Sequence, residues 1–146
     1  MRTLMLCFLL AASLAFGAEA GFACTCAPSK GPTEELELAA AVFSGKVVGI
    51  KRHKQAEDIF ARVEVVLRVE RVWKGVEGAT VSVFTSPHSA ACGYDFKGGR
   101  TYLVYAHKNA EGRLSTGICG RTRRLKDAGE DLKELGAGRE VAGAPK

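Results

Sequence analysis

Residues 61–75, ARVEVVLRVERVWKG, decide what kind of fold this chain makes. Ala61, Val63, Val65, Leu67 and Val69 fall on one side of an extended backbone, while Arg62, Glu64, Arg68 and Glu70 fall on the other; only Val66 interrupts. A period of two held this long predicts a long β-strand with one face on a core and one in water. Trp73, Lys74 and Gly75 close it. Upstream, VFSGKVVGIK (Val42 to Lys51) is rich in β-branched residues, with Gly45 and Gly49 as bulge or bend points. The polar run from Lys51 to Asp58 reads as the loop between the two strands.

Downstream, TVSVFT (Thr80 to Thr85) is a third strand, and Ser86 to Tyr94 is a loop carrying Cys92. A turn at Lys97 to Arg100 leads into YLVYA (Tyr102 to Ala106), the fourth strand. A second turn at Asn109 to Gly112 leads into LSTGIC (Leu114 to Cys119), a short fifth. Two helices flank the strands. Thr33 to Ala41 has Thr33 as its expected N-cap and Glu34 and Glu35 in the first turn, where the helix dipole favours acids. Leu125, Ala128, Leu132 and Leu135 space like one helix face, with Gly136 as the stop. Arg139 to Lys146, rich in glycine and alanine, reads as a frayed end. The pattern predicts a mainly β protein: a small closed or nearly closed five-stranded barrel with a short helix at each end.

The first 23 residues do not belong to that barrel. Arg2 is a short positive leader, Leu4 to Phe16 is an apolar core too short to span a bilayer, and small residues follow, the pattern of a secretory signal peptide. Ala18-Glu19-Ala20 would place the cut before Gly21; Gly21-Phe22-Ala23 would place it before Cys24. A lipoprotein-type cut before Cys24 matches poorly. The expected organisation is a signal peptide at 1–23, a domain at 24–125, and a helix with a flexible tail at 126–146. Removing the leader takes one base (Arg2) and one acid (Glu19), so the net charge stays +5. That mild basicity permits contact with an acidic surface without demanding nucleic acid.

Export makes the cysteines informative. Cys7 leaves with the leader, and Cys24, Cys26, Cys92 and Cys119 remain, an even number expected to form two disulfides. Bridging Cys24 to Cys26 would close too tight a ring. The two other pairings stay open, and both tie the region of Cys24 to two distant points in the chain. In a chain of this size such staples matter, since a small core stabilises little by itself.

CTCAP at Cys24 to Pro28, TSPHSAACGY at Thr85 to Tyr94, TGICG at Thr116 to Gly120, the strand ending in VWKG and the YLVYA strand together resemble the N-terminal, netrin-like domain of the tissue inhibitors of metalloproteinases. The likeness runs over most of residues 24–125. It implies an OB-type five-stranded Greek-key barrel, with Cys24 bridged to Cys92 and Cys26 to Cys119. It also implies a secreted inhibitor that chelates the zinc of a metalloendopeptidase through the Cys24 amine and carbonyl. Thr25 would enter the specificity pocket, Cys26, Ala27 and Pro28 would run along the cleft, and Ala90, Ala91 and Cys92 would lie beside them. The chain departs from the pattern at Ala27, in its short loops and in lacking a third N-domain disulfide; the six-cysteine second domain of the animal inhibitors has no counterpart in this sequence.

The chemistry of such a terminus is simple. A sulfur locked in a disulfide offers a metal no thiolate. A terminal α-amine, with a pKa of about 7.7–8.0, has a useful neutral fraction near neutral pH. With its own carbonyl oxygen it closes a five-membered chelate, and one extra residue would acylate and block it. The protein is expected to be no enzyme and to need no cofactor of its own: His53, His88 and His107 stand isolated, and no nucleophile triad, carboxylate pair or phosphate loop stands out. Arg121, Arg123, Arg124 and Lys126 read as a solvated strand end. The second reading they carry is a secreted binding or structural module without inhibitory activity, touching acidic polysaccharide or an envelope surface. Nucleic acid is not expected, and the molecule is expected to be a monomer.

Overall fold

A computed structural model describes residues 24–28, 30–53 and 63–141. The signal-peptide reading of 1–23, Ser29, most of the first loop, the Ala61–Arg62 start of the long strand and residues 142–146 lie outside the described residues. Strands β1 (Ala41–Arg52), β2 (Val63–Lys74), β3 (Thr80–Thr85), β4 (Thr101–Lys108) and β5 (Leu114–Ser115) close on themselves in the order β1-β2-β3-β5-β4, with β4 pairing back onto β1. All pairings in that ring are antiparallel except β3–β5, where Phe84 faces Ser115. β6 (Arg123–Arg124) adds to β4, and β7 (Arg139–Glu140) adds to β2. This is the five-stranded barrel that the strand pattern predicts.

The alternation in β2 does what its period requires. Val63, Val65, Leu67 and Val69 are buried in the barrel, against Phe43, Val47, Val83, Tyr102 and Val104. β1 shifts register at Ser44/Gly45 and Val47/Gly49, the positions the two glycines mark, and the bulges bend it into the curve of a small barrel. β4 is buried on both faces. Tyr102, Val104 and Ala106 face inward, while Leu103 and Tyr105 meet Ala39, Val42 and Ala128 in a second core beneath the helices. A continuous apolar run such as YLVYA is what a strand covered on both sides needs.

The helices differ from the expectation at their ends. Helix α1 spans Pro32–Leu38, with Gly31 rather than Thr33 as N-cap and Pro32 in the first turn. The fixed φ of proline suits that first turn and starts the helix ahead of the threonine, whose hydroxyl instead donates to Glu134 (3.4 Å). Helix α2 covers Gly129–Leu135, and Leu125–Asp127 ahead of it form a 3-10 turn, although Leu125, Ala128, Leu132 and Leu135 share one buried contact surface as their spacing predicts. Arg139 to Val141, the described part of the end read as frayed, is ordered. Arg139 and Glu140 pair with Val72 and Arg71, Val141 is buried, and the Arg139 guanidinium donates to the Val76 carbonyl (3.0 Å).

Candidate functional site

Residues Cys24 to Pro28 form an arm without regular secondary structure; Cys24 is half-buried and the next four are exposed. Two disulfides fasten it, Cys24–Cys92 and Cys26–Cys119, with Cα–Cα separations of 5.2 and 5.1 Å. The pairing left open by the spacing of the cysteines is thus resolved in the order the resemblance implies. The bridges abut: Cys24 Sγ lies 3.4 Å from Cys119 Sγ. Cys24, Cys26 and Cys119 sulfurs gather within 4.8 Å of one another. All three are oxidised, so the cluster offers no thiolate to a metal.

The ground beneath Cys24 is built by close backbone approach. A short 3-10 turn, Ser89–Ala91, carries Ala90 and Ala91 and ends at Cys92, whose φ of 60° is left-handed. The Cys92 N–H donates to the Ser89 carbonyl (2.9 Å), and the Gly93 N–H to the His88 carbonyl (2.9 Å). Gly93 then bridges to Gly117. A Cβ on Gly93 would stand 2.2 Å from the Ser86 carbonyl oxygen, and one on Gly117 2.4 Å from that of Cys92. Glycine at 93 lets the Cys92 loop fold back on itself, and glycine at 117 lets the next turn touch that loop. The Ile118 N–H donates to the Cys92 carbonyl (3.0 Å) and the Tyr94 N–H to Thr85 Oγ1 (2.9 Å). LSTGIC is therefore strand only at Leu114–Ser115, since from Gly117 the chain turns to meet the Cys92 loop. Tyr94, Phe96 and Tyr102 pack with ring centroids 4.7–5.8 Å apart and plug the barrel below.

The basic run is not a uniformly solvated end. Arg121 is buried, as is Asp131 of α2, which is fully shielded. Arg121 Nε and Nη2 donate to the two Asp131 oxygens (2.7 and 3.2 Å), the Tyr105 hydroxyl donates to Asp131 Oδ1 (3.0 Å), and Arg123 Nη1 stands 3.4 Å from Oδ2. Burial alone would push the Asp131 carboxyl up; the hydrogen bonds from Arg121 and Tyr105 and the Arg123 charge outweigh it and hold it below the usual carboxylate range. Burial, with the Asp131 charge, pushes the Tyr105 phenol far up, so it remains a donor. This network is invisible locally: its basic half reads as surface, and its acid lies ten residues on, in a different element. His107 Nε2 meets Glu35 (2.7 Å) and His53 Nε2 meets Glu64 (3.1 Å), so these two histidines have carboxylate partners the sequence does not announce. Hydrogen bonds, chiefly from Ser82, hold Glu64 below its ordinary value.

The molecule is thus an OB-type barrel that holds an exposed arm against two touching loops, with one disulfide to each. The family model for tissue inhibitor of metalloproteinase matches residues 22–131, and the chain belongs to that family. It is 29% identical over 122 residues to metalloproteinase inhibitor 2 of Cavia porcellus, covering 80% of this chain and 54% of that one. With the protein of that name from Homo sapiens it shares 29% over 103 residues, covering 66% and 46%. With that of Canis lupus familiaris it shares 28% over 103 residues, with the same coverage. The chain spans about half the length of these curated relatives. Among the described residues no helix is long and apolar enough to cross a membrane.

Proposed function

We propose that this is a secreted inhibitor of zinc metalloendopeptidases whose Cys24 arm enters the enzyme's cleft. The observation that carries the reading is the double fastening of the arm, Cys24 to Cys92 and Cys26 to Cys119. It fixes the first backbone atoms of a chain beginning at Cys24, so little ordering cost remains at binding. The Cys24 amine and carbonyl oxygen chelate the enzyme's zinc and displace the water that would serve as its nucleophile. Thr25 occupies the specificity pocket, Cys26, Ala27 and Pro28 follow the cleft, and Ala90 and Ala91 line the opposite side. The metal belongs to the enzyme; the inhibitor contributes no cofactor and catalyses nothing. Family membership and the inhibitor names of the relatives support the general role.

The test compares protein beginning at Cys24 with the same protein carrying one added alanine, against a panel of zinc endopeptidases. The added residue is expected to weaken inhibition at least 100-fold, and equal potency would rule out chelation. Thr25→Gly is expected to weaken binding about tenfold and to change selectivity across the panel; an unchanged profile would contradict the pocket assignment. N-terminal sequencing of the exported protein supplies the prior check. A chain beginning at Gly21 has no free Cys24 amine and would favour a binding module without inhibitory activity.

A further inference from the structure

Arg121 has a third contact that the Asp131 network does not need. Its Nε and Nη2 edge is taken by the Asp131 carboxylate, while Nη1 points the other way and donates to the Lys30 carbonyl (2.8 Å), across 91 residues of sequence. Lys30 lies between Pro28 and the first turn of α1. Arg121 itself stands two residues beyond Cys119, the partner of Cys26. One three-residue stretch therefore grips the arm twice: by a disulfide at Cys26 and by a charge-assisted hydrogen bond at Lys30. Helix α1, on the far side of that joint, is held in turn by Lys74, whose Nζ donates to the Leu36 and Glu37 carbonyls (3.0 and 2.7 Å).

We infer that Arg121 is a positioning residue for the inhibitory arm, tying the chain at Lys30, beyond the Cys26 bridge and the exposed Ala27 and Pro28. The inference rests on the proposed inhibitory reading for its consequence, and on the geometry alone for its mechanism. A guanidinium serves here because its planar fork meets the carboxylate with two N–H groups and still turns a third outward; a lysine ammonium is a single point that cannot span both. The burial of Asp131, with Tyr105 and Arg123 also on it, fixes the fork's orientation, so the outward N–H is aimed rather than free to rotate.

The experiment has an arm that does not depend on inhibition. In the unaltered protein beginning at Cys24, NMR should show a slowly exchanging Arg121 side-chain N–H with a scalar coupling across the hydrogen bond to the Lys30 carbonyl carbon. Rapid exchange with no coupling would overturn the contact. In Arg121→Lys, 15N relaxation should show lower order parameters at the amides of Cys26, Ala27, Lys30 and Gly31 than in the unaltered protein, while the amides of β1 and β2 keep theirs. Order parameters unchanged at those residues, or lowered equally there and in the barrel, would overturn the positioning role and leave Arg121 merely structural. Against the zinc endopeptidases, Arg121→Lys should lose about tenfold in affinity, while Arg124→Lys, three residues further on in β6, should lose nothing. If the unaltered protein inhibits no enzyme, the inhibitory reading fails and the relaxation data still decide the positioning role. If it inhibits and Arg121→Lys matches it with a loosened arm, the positioning role has no bearing on binding and the inference fails alone.

Discussion

Single residues carry the site more through what they lack than through what they bear. Gly93 and Gly117 let the Cys92 loop and the following turn meet backbone to backbone. Gly93→Ala and Gly117→Ala are each expected to cost about 2–3 kcal/mol, seen as a lower denaturant midpoint at unchanged slope. Both lie in the quoted motifs, but the sequence does not show why a side chain is excluded: the crowding atoms belong to Ser86 and His88 at Gly93 and to Cys92 at Gly117. The sulfurs lead to a second expectation. If a small dithiol reduces Cys26–Cys119, the freed Cys119 thiolate stands beside Cys24 Sγ, 3.4 Å away in the intact protein. It can attack that sulfur, form Cys24–Cys119 and release the Cys92 thiolate, an exchange that needs no further electrons. Peptide mapping after brief reduction and acid quench should find the Cys24–Cys119 peptide. Finding only native bridges and fully reduced chain would exclude the exchange.

At the scale of elements, α2 is joined to the barrel by a buried carboxylate as well as by its leucines. Tyr105→Phe leaves Asp131 short of one donor and is expected to cost about 1–2 kcal/mol. The pH dependence has a definite sign. A carboxylate held below its unfolded value contributes stability that is fully present above the unfolded pKa of about 4, and that stability is lost as pH falls through the folded value. Asp131→Asn should therefore melt lower than the unaltered protein at pH 7, and the gap should narrow as pH falls below about 4. A gap constant down to pH 2 would show that the charge is not what matters. The elements themselves were unevenly legible. β2 announces its core face because its period is regular, and YLVYA announces a strand but not that both faces are covered. The start of α1 moved because Pro32 outweighs Thr33, and the helix read from Leu125 begins in α form only at Gly129. Arg121 looked solvated because its acid belongs to another element, and only the tertiary fold joins them.

For the whole molecule, the arm and barrel stand together through two long chain closures, with separations of 68 and 93 residues. The chain-entropy model assigns roughly 4–5 kcal/mol to each, short of full additivity. Replacing both members of the Cys26–Cys119 pair by serine should lower the melting temperature markedly while leaving a β-rich spectrum at low temperature; an unchanged melting temperature would contradict the staple role. The cysteines' spacing disclosed that staples exist and that two pairings were feasible, but their order depends on which loops the barrel brings beneath the arm. The last ordered strand has a consequence of another kind. β3 covers β2 only as far as Arg68, and β7 continues the cover at Arg71 and Val72. Cut the chain after Gly136 and that stretch of β2 is left with unpaired amides and carbonyls facing outward, a template for a second copy to add a strand. The shortened protein should sediment with more concentration-dependent self-association than the longer one; equal behaviour of the two would show that residues 139–141 do not protect that edge.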